Sequence, residues 1–189
     1  FIGSSNDRLI NLCQFAQRLV KGENGKMLIE FYQPFISTVN AVEAMQVFDW
    51  LLQQDTPFEK VKSNVGKIIN VFFKSLDAND WTKPTEGHFL YYILQENRHV
   101  EKCIAEVRPY IKDFLKKESG NSDETLRKLK EFIGTVKKYE LHYIKKENIL
   151  FPYLEKTFTQ HRCLQLMWSF HDDFRRSVKV LEELLEKNL

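Results

Sequence analysis

Apolar residues recur at three- and four-residue spacing along almost the whole chain, and the strict alternation of a half-buried strand is nearly absent. The pattern predicts helices throughout. A first runs from Asn6 to Val20 and stops near KGENGK; a second covers Lys26 to Phe35, with Pro34 near its end. STVNAVEA opens a third, capped by Ser37 or Thr38, that reaches QQD. In TPFEK, Thr56 reads as an N-cap, Pro57 as the first helical residue and Glu59 as the return half of a capping box. The helix that follows carries Val61, Val65, Ile68, Ile69, Phe72 and Phe73 along one broad face.

LDANDWTKPTEG (76–87) gathers Asp, Asn, Pro and Gly and reads as the main connection. Three long helical segments follow, at roughly 88–117, 123–157 and 160–187, with SGNSDE (119–124) between the first two and Ser122 or Asp123 as a cap. Pro109 should kink the first of them and Pro152 should bend or break the second, since an interior proline removes a hydrogen bond. Three amphipathic helices close a core poorly, and the 57–75 helix is the natural fourth. The expected architecture is therefore all-α: an up-and-down four-helix bundle over residues 56–189, with 1–55 as a small N-terminal helical domain.

Charge narrows the partners. The 28 basic and 26 acidic residues are interleaved and leave a net charge of +2, which offers no broad phosphate-binding surface and argues against nucleic acid. Cys13, Cys103 and Cys163 are odd in number, far apart and in no CxxC pair, which fits a reducing compartment. No apolar run approaches the ~18–20 residues of a membrane span, and no signal-peptide pattern is read. A cytoplasmic location is expected.

Bundle interiors are where facing helices build metal and cofactor sites, so histidines on apolar faces matter most. GHFLYYILQENRHVEKC places His88, Tyr92, Glu96, His99 and Cys103 within about 80° of helical arc. Tyr139, His142, Lys146 and Tyr153 share a face of the next segment, whereas Glu147 lies about 140° from His142. In MWSFHDDFRRSV, His171 is bracketed by Trp168, Phe174 and Val178, with Arg175 one turn on. Each long helix thus offers one histidine among large apolar neighbours: His88, His142 and His171. Neutral imidazole suits zinc, copper, iron and nickel. Read singly, each is as well explained as a hydrogen-bonded boundary residue.

HYIKKENILFPYLE and LMWSFHDDFR, with GHFLYYILQENRHVE upstream, resemble the hemerythrin-like, HHE cation-binding domain. The resemblance is to the subgroup with an extra N-terminal helical domain of unknown function and often a PAS sensor domain. LINLCQFAQRLVKGEN and STVNAVEAMQVFDWLLQQDTPFEKVKS resemble that extra domain in order and spacing. The resemblance implies a four-helix bundle holding non-haem iron, often as a di-iron pair, on His and carboxylate side chains. It also implies binding of oxygen, sensing of oxygen or nitric oxide, or iron handling. His88, His142 and His171 match motif histidines.

The departures are equally specific. PFEKVKSNVGKIINVFF holds no histidine where the subgroup has one, and Ile68 stands there. Tyr91 replaces a second histidine three residues after His88, and Lys146 and Arg175 stand where carboxylates are expected one turn after His142 and His171. Glu96 and Glu147 then become auxiliary ligands or groups that orient an imidazole. Tyr92, Lys146 and Arg175 become cofactor-contacting residues.

Three functions remain. The first is a metal-binding sensory or ligand-binding module, not a turnover enzyme, that takes a metal ion and a small diatomic ligand and works with a further sensory domain or as a homodimer. The second is a haem-binding bundle, suggested by the aromatic load and by the gain of Lys146 and Arg175. The third is a metal-free interaction or regulatory domain with a decayed site. No Gly-rich phosphate loop or GxSxG is present, and the His99/Cys103 pair reads as a boundary histidine above a buried thiol, so no enzyme is expected.

Overall fold

A computed structural model describes residues 5–116 and 122–187; part of the expected break, 119–121, lies outside them. Among the described residues there is helix and no strand. The elements are α1 (Ser5–Lys21), α2 (Gly25–Ile36), α3 (Ala41–Leu51), α4 (Phe58–Lys62), α5 (Val65–Ala78), α6 (Phe89–Lys116), α7 (Ser122–Lys138), α8 (Glu140–Lys145), a π-helical turn (Lys146–Leu150), α9 (Phe151–Thr157) and α10 (Cys163–Lys187). Contacts divide them into two units, 1–81 with 154–167 and 82–153 with 168–189. This grouping differs from a cut after residue 55, because it carries α4 and α5 with the N-terminal helices.

In the first unit, Leu12, Phe15 and Ala16 of α1 are fully buried, and the Phe15 ring meets Tyr32 of α2 at 5.9 Å and Phe72 of α5 at 5.8 Å. Alpha-helix α1 ends at Gly22, whose φ of +94° lets Glu23 N–H reach the Arg18 carbonyl and Gly22 N–H reach that of Leu19. Asn40, rather than Ser37 or Thr38, caps α3: its side chain accepts from Glu43 N–H, and the Glu43 carboxylate accepts from Asn40 N–H. Thr56 does not cap either. Pro57 occupies the N-cap of α4 without a side-chain bond, and the chain breaks at Ser63–Asn64 before α5. Ile68 and Phe72 of α5 are fully buried, and Ser75 Oγ donates to the Val39 carbonyl at 2.8 Å.

In the same unit Asp49 is almost wholly buried. It accepts from the Arg162 backbone N–H at 2.8 Å and from Gln53 Nε2 at 2.6 Å, which ties the turn before α10 to α3.

In the second unit α6 packs on α7 around Ile93, Val107, Ile133 and Val136, and α6 continues as helix through Pro109. Lys137 of α7 pairs with Glu182 of α10 at 2.6 Å. The expected single helix over 123–157 is instead interrupted at Tyr139 and again at Lys146–Leu150. Proline 152 gives a reason for the second interruption. It has no N–H to offer the Asn148 carbonyl, and the turn ahead of it widens so that Phe151 N–H bonds to the Lys146 carbonyl.

Candidate functional site

Glu147 lies in the π-helical turn that follows α8. In an ideal α-helix it lies about 140° from His142, and it is buried at 8% exposure inside the second unit against His171 of α10.

Two buried imidazoles define the site. His142 (1% exposed) lies 2.9 Å through Nδ1 from Glu96 Oε2, and His171 (2% exposed) lies 2.7 Å through Nδ1 from Glu147 Oε1. An ionised carboxylate only accepts, so each Nδ1 carries the proton and each Nε2 is left with a lone pair. Neither Nε2 has a hydrogen-bond partner, and both are shielded from solvent. Burial holds both imidazoles below their ordinary value; their carboxylates oppose that, and the charge of Lys146 adds to it at both rings. Both rings are thus held neutral.

The carboxylates are in turn held by cations. Arg175 Nη2 donates to both oxygens of Glu147 at 2.9 Å, and Arg175 Nε donates to Glu140 at 2.9 Å. Glu96 also accepts from Lys145. Lys146 is half-buried, and burial holds its ammonium below the ordinary lysine range against the pull of Glu96. Aromatic rings enclose the pair. Tyr139 stacks on His142 at 4.4 Å and 15°, Phe151 stacks on His171 at 5.6 Å and 17°, and Tyr143 touches both, 5.6 Å from His142 and 4.1 Å from His171. Tyr139 Oη donates to Asn97 at 2.6 Å, which fixes the stacked ring.

Of the residues singled out from sequence, His142, His171, Glu96, Glu147, Lys146 and Arg175 come together. Tyr92 is half-exposed and lines, with Glu96, His99, Tyr139 and His142, a cavity of about 410 Å³ beside the first imidazole. His88 is not brought to the pair: it is exposed ahead of α6, and its Nδ1 accepts from Leu90 N–H at 3.2 Å. His99 Nε2 instead lies 3.7 Å from Cys103 Sγ. The sequence reading missed Tyr143, Phe151 and Glu140. Tyr143 and Phe151 earn their places only through the partner helix, and their sole local signal is proximity to His142 and Pro152.

These residues fit one kind of cation site better than another. A bridged di-iron pair needs carboxylate oxygens free for metal, and here Glu96 and Glu147 already hold imidazole N–H groups and cations. Among the described residues no group of three or more His, Cys, Asp and Glu could hold an ion. Each bare, neutral Nε2 keeps the lone pair with which an imidazole binds a metal ion.

The model of the hemerythrin HHE cation binding domain matches residues 88–189. Neither a search of curated proteins nor one of solved structures finds a match.

Proposed function

Because this chain belongs to the hemerythrin HHE cation-binding family, we propose that its second unit is a binding module that holds one cation on Nε2 of His142 and His171. The observation that carries this reading is the pair of buried Nε2 atoms without partners, each in a ring anchored through Nδ1 by a carboxylate. Carboxylate anchoring fixes the tautomer and raises the basicity of the ligating nitrogen. Glu96 and Glu147 orient the rings, Lys145 and Arg175 neutralise those carboxylates, and Tyr139 and Phe151 hold the ring planes and keep water out.

Iron is the ion the family suggests. When bound it would supply an open Lewis-acidic position for a diatomic ligand such as oxygen or nitric oxide, and the role is binding or sensing rather than turnover. The enclosing Tyr143, Phe151 and Phe174 favour haem as a second reading, because the same two Nε2 atoms would serve a haem iron between aromatic walls.

Metal quantification and absorption spectroscopy of the full chain, loaded anaerobically with iron(II) and separately with haem, test both. Stoichiometric iron lost in His142→Ala and His171→Ala but retained in His88→Ala is the expected result. A Soret band lost in the same two variants would move the assignment to haem. Absence of both iron and haem, or retention of iron without His142, overturns the reading.

A further inference from the structure

The cavity of about 410 Å³ beside His142 plays no part in the cation reading. One side is α6, from Tyr92 to Val100, and the other runs from Thr135 of α7 to Lys145 of α8. Its volume falls within the roughly 300–1,000 Å³ of small-molecule sites.

The walls are apolar and partly aromatic. Tyr92 and Leu141 line the cavity and are 49% and 61% exposed, so large apolar surface there stands in solvent. Tyr139, also in the lining, is fixed in place: its ring stacks on His142 at 4.4 Å and its hydroxyl bonds Asn97 at 2.6 Å. A ring already held costs no ordering when a flat partner packs on it.

Charge selects the kind of partner. The lining holds two lysines, Lys138 and Lys145, against one glutamate, Glu96. That glutamate is spent, since one oxygen meets His142 Nδ1 and the other accepts from Lys145. His99 lies 3.7 Å from Cys103 Sγ, and Thr135 Oγ1 donates to the Glu131 carbonyl at 3.1 Å. Among the described residues no hydrogen bond or ion pair holds the Lys138 amine or the Gln95 side-chain amide. One donor thus stands on each side of the cavity, and one positive charge is uncompensated. Donors of this kind call for the acceptor oxygens of an anion.

We propose that this cavity binds a small aromatic carboxylate of one or two rings, its ring against Tyr92, Tyr139 and Leu141 and its carboxylate toward Lys138 and Gln95. The site requires neither a metal ion nor a change of protonation at a histidine. An exposed ammonium contributes little by itself, so the ring supplies most of the affinity and Lys138 selects the anion over a neutral analogue.

The test titrates the full chain, in chelator, with naphthoate and with its neutral analogue naphthamide, read by calorimetry and proton NMR. Naphthoate should fill one site, roughly fivefold more tightly than naphthamide. Nuclear Overhauser contacts should join its ring to those of Tyr92 and Tyr139. Lys138→Glu, at an exposed position, should weaken naphthoate about tenfold and leave naphthamide unchanged. Leu141→Ser, also exposed, should weaken both compounds about threefold. Circular dichroism of the two variants should match that of the unmodified chain. Equal binding of the two compounds, naphthoate binding that survives Lys138→Glu, or contacts to rings elsewhere in the chain overturns the proposal. So does the absence of saturation below about 10 mM. Chelator keeps every outcome separate from the iron experiments, so failure here leaves the histidine–cation reading standing.

Discussion

The His171 Nδ1–H donates to Glu147 Oε1 across 2.7 Å, from α10 to the π-helical turn that holds Glu147. The same Glu147 takes both of its other hydrogen bonds from Arg175 Nη2. A buried carboxylate thus serves one imidazole and one guanidinium.

Removing that carboxylate should be costly. Glu147→Ala leaves Arg175 without its most buried partner and His171 Nδ1–H without an acceptor, and loss of one member of a buried ion pair costs roughly 3–5 kcal/mol. Arg175 is partly exposed and keeps Glu140 and Asp172, so a loss of about 2–3 kcal/mol is expected. Urea unfolding measures it. A loss under about 0.5 kcal/mol would mean that the pair contributes nothing beyond a surface contact.

Stability should fall on mild acidification. Both imidazoles are held below their ordinary value of 6.5, chiefly by burial. As pH drops below 6.5 the unfolded chain takes up protons that the folded chain refuses, so stability is full above that value and is lost as pH approaches the lower folded values. The double variant His142→Asn, His171→Asn keeps a donor toward each carboxylate and removes the titration. Thermal melts between about pH 7 and pH 5 should show a steeper decline for the unmodified chain than for the double variant.

A cation bound by the folded state alone should raise its stability by mass action, by about 2.7 kcal/mol at a free concentration one hundred times the Kd. Melts with iron(II) should therefore shift upward for the unmodified chain and stay unchanged for His171→Ala. An equal shift in both would show that the ion binds elsewhere.

The first unit has its own buried carboxylate. Asp49→Ala removes the acceptor of Arg162 N–H and one acceptor of Gln53 Nε2, two part-buried hydrogen bonds, at an expected cost of about 1–2 kcal/mol. Asp49→Asn keeps the carbonyl oxygen and should cost less. Denaturant unfolding of the two variants side by side checks the order.

Helix content and the breaks around KGENGK and LDANDWTKPTEG were legible in the sequence, because apolar period, Gly and Pro are local properties. The choice of Asn40 as cap was not, since three nearby residues had suitable side chains and only the path of the chain selected one. His88 shared a stripe with Glu96 on paper, but the helix begins just after it, and it ends exposed with its ring on the Leu90 N–H.

Glu147 marks the division most clearly. Sequence alone determined that Glu147 stood five residues after His142 and that Lys146 and Arg175 stood one turn after His142 and His171, where the family resemblance implies carboxylates. Only tertiary structure decided that the backbone would widen ahead of Pro152, that Glu147 would meet His171 and that two Nε2 atoms would be left bare. The reason is physical: the spacing along one segment fixes which residues share its face, but not which side chains of a neighbouring helix that face meets.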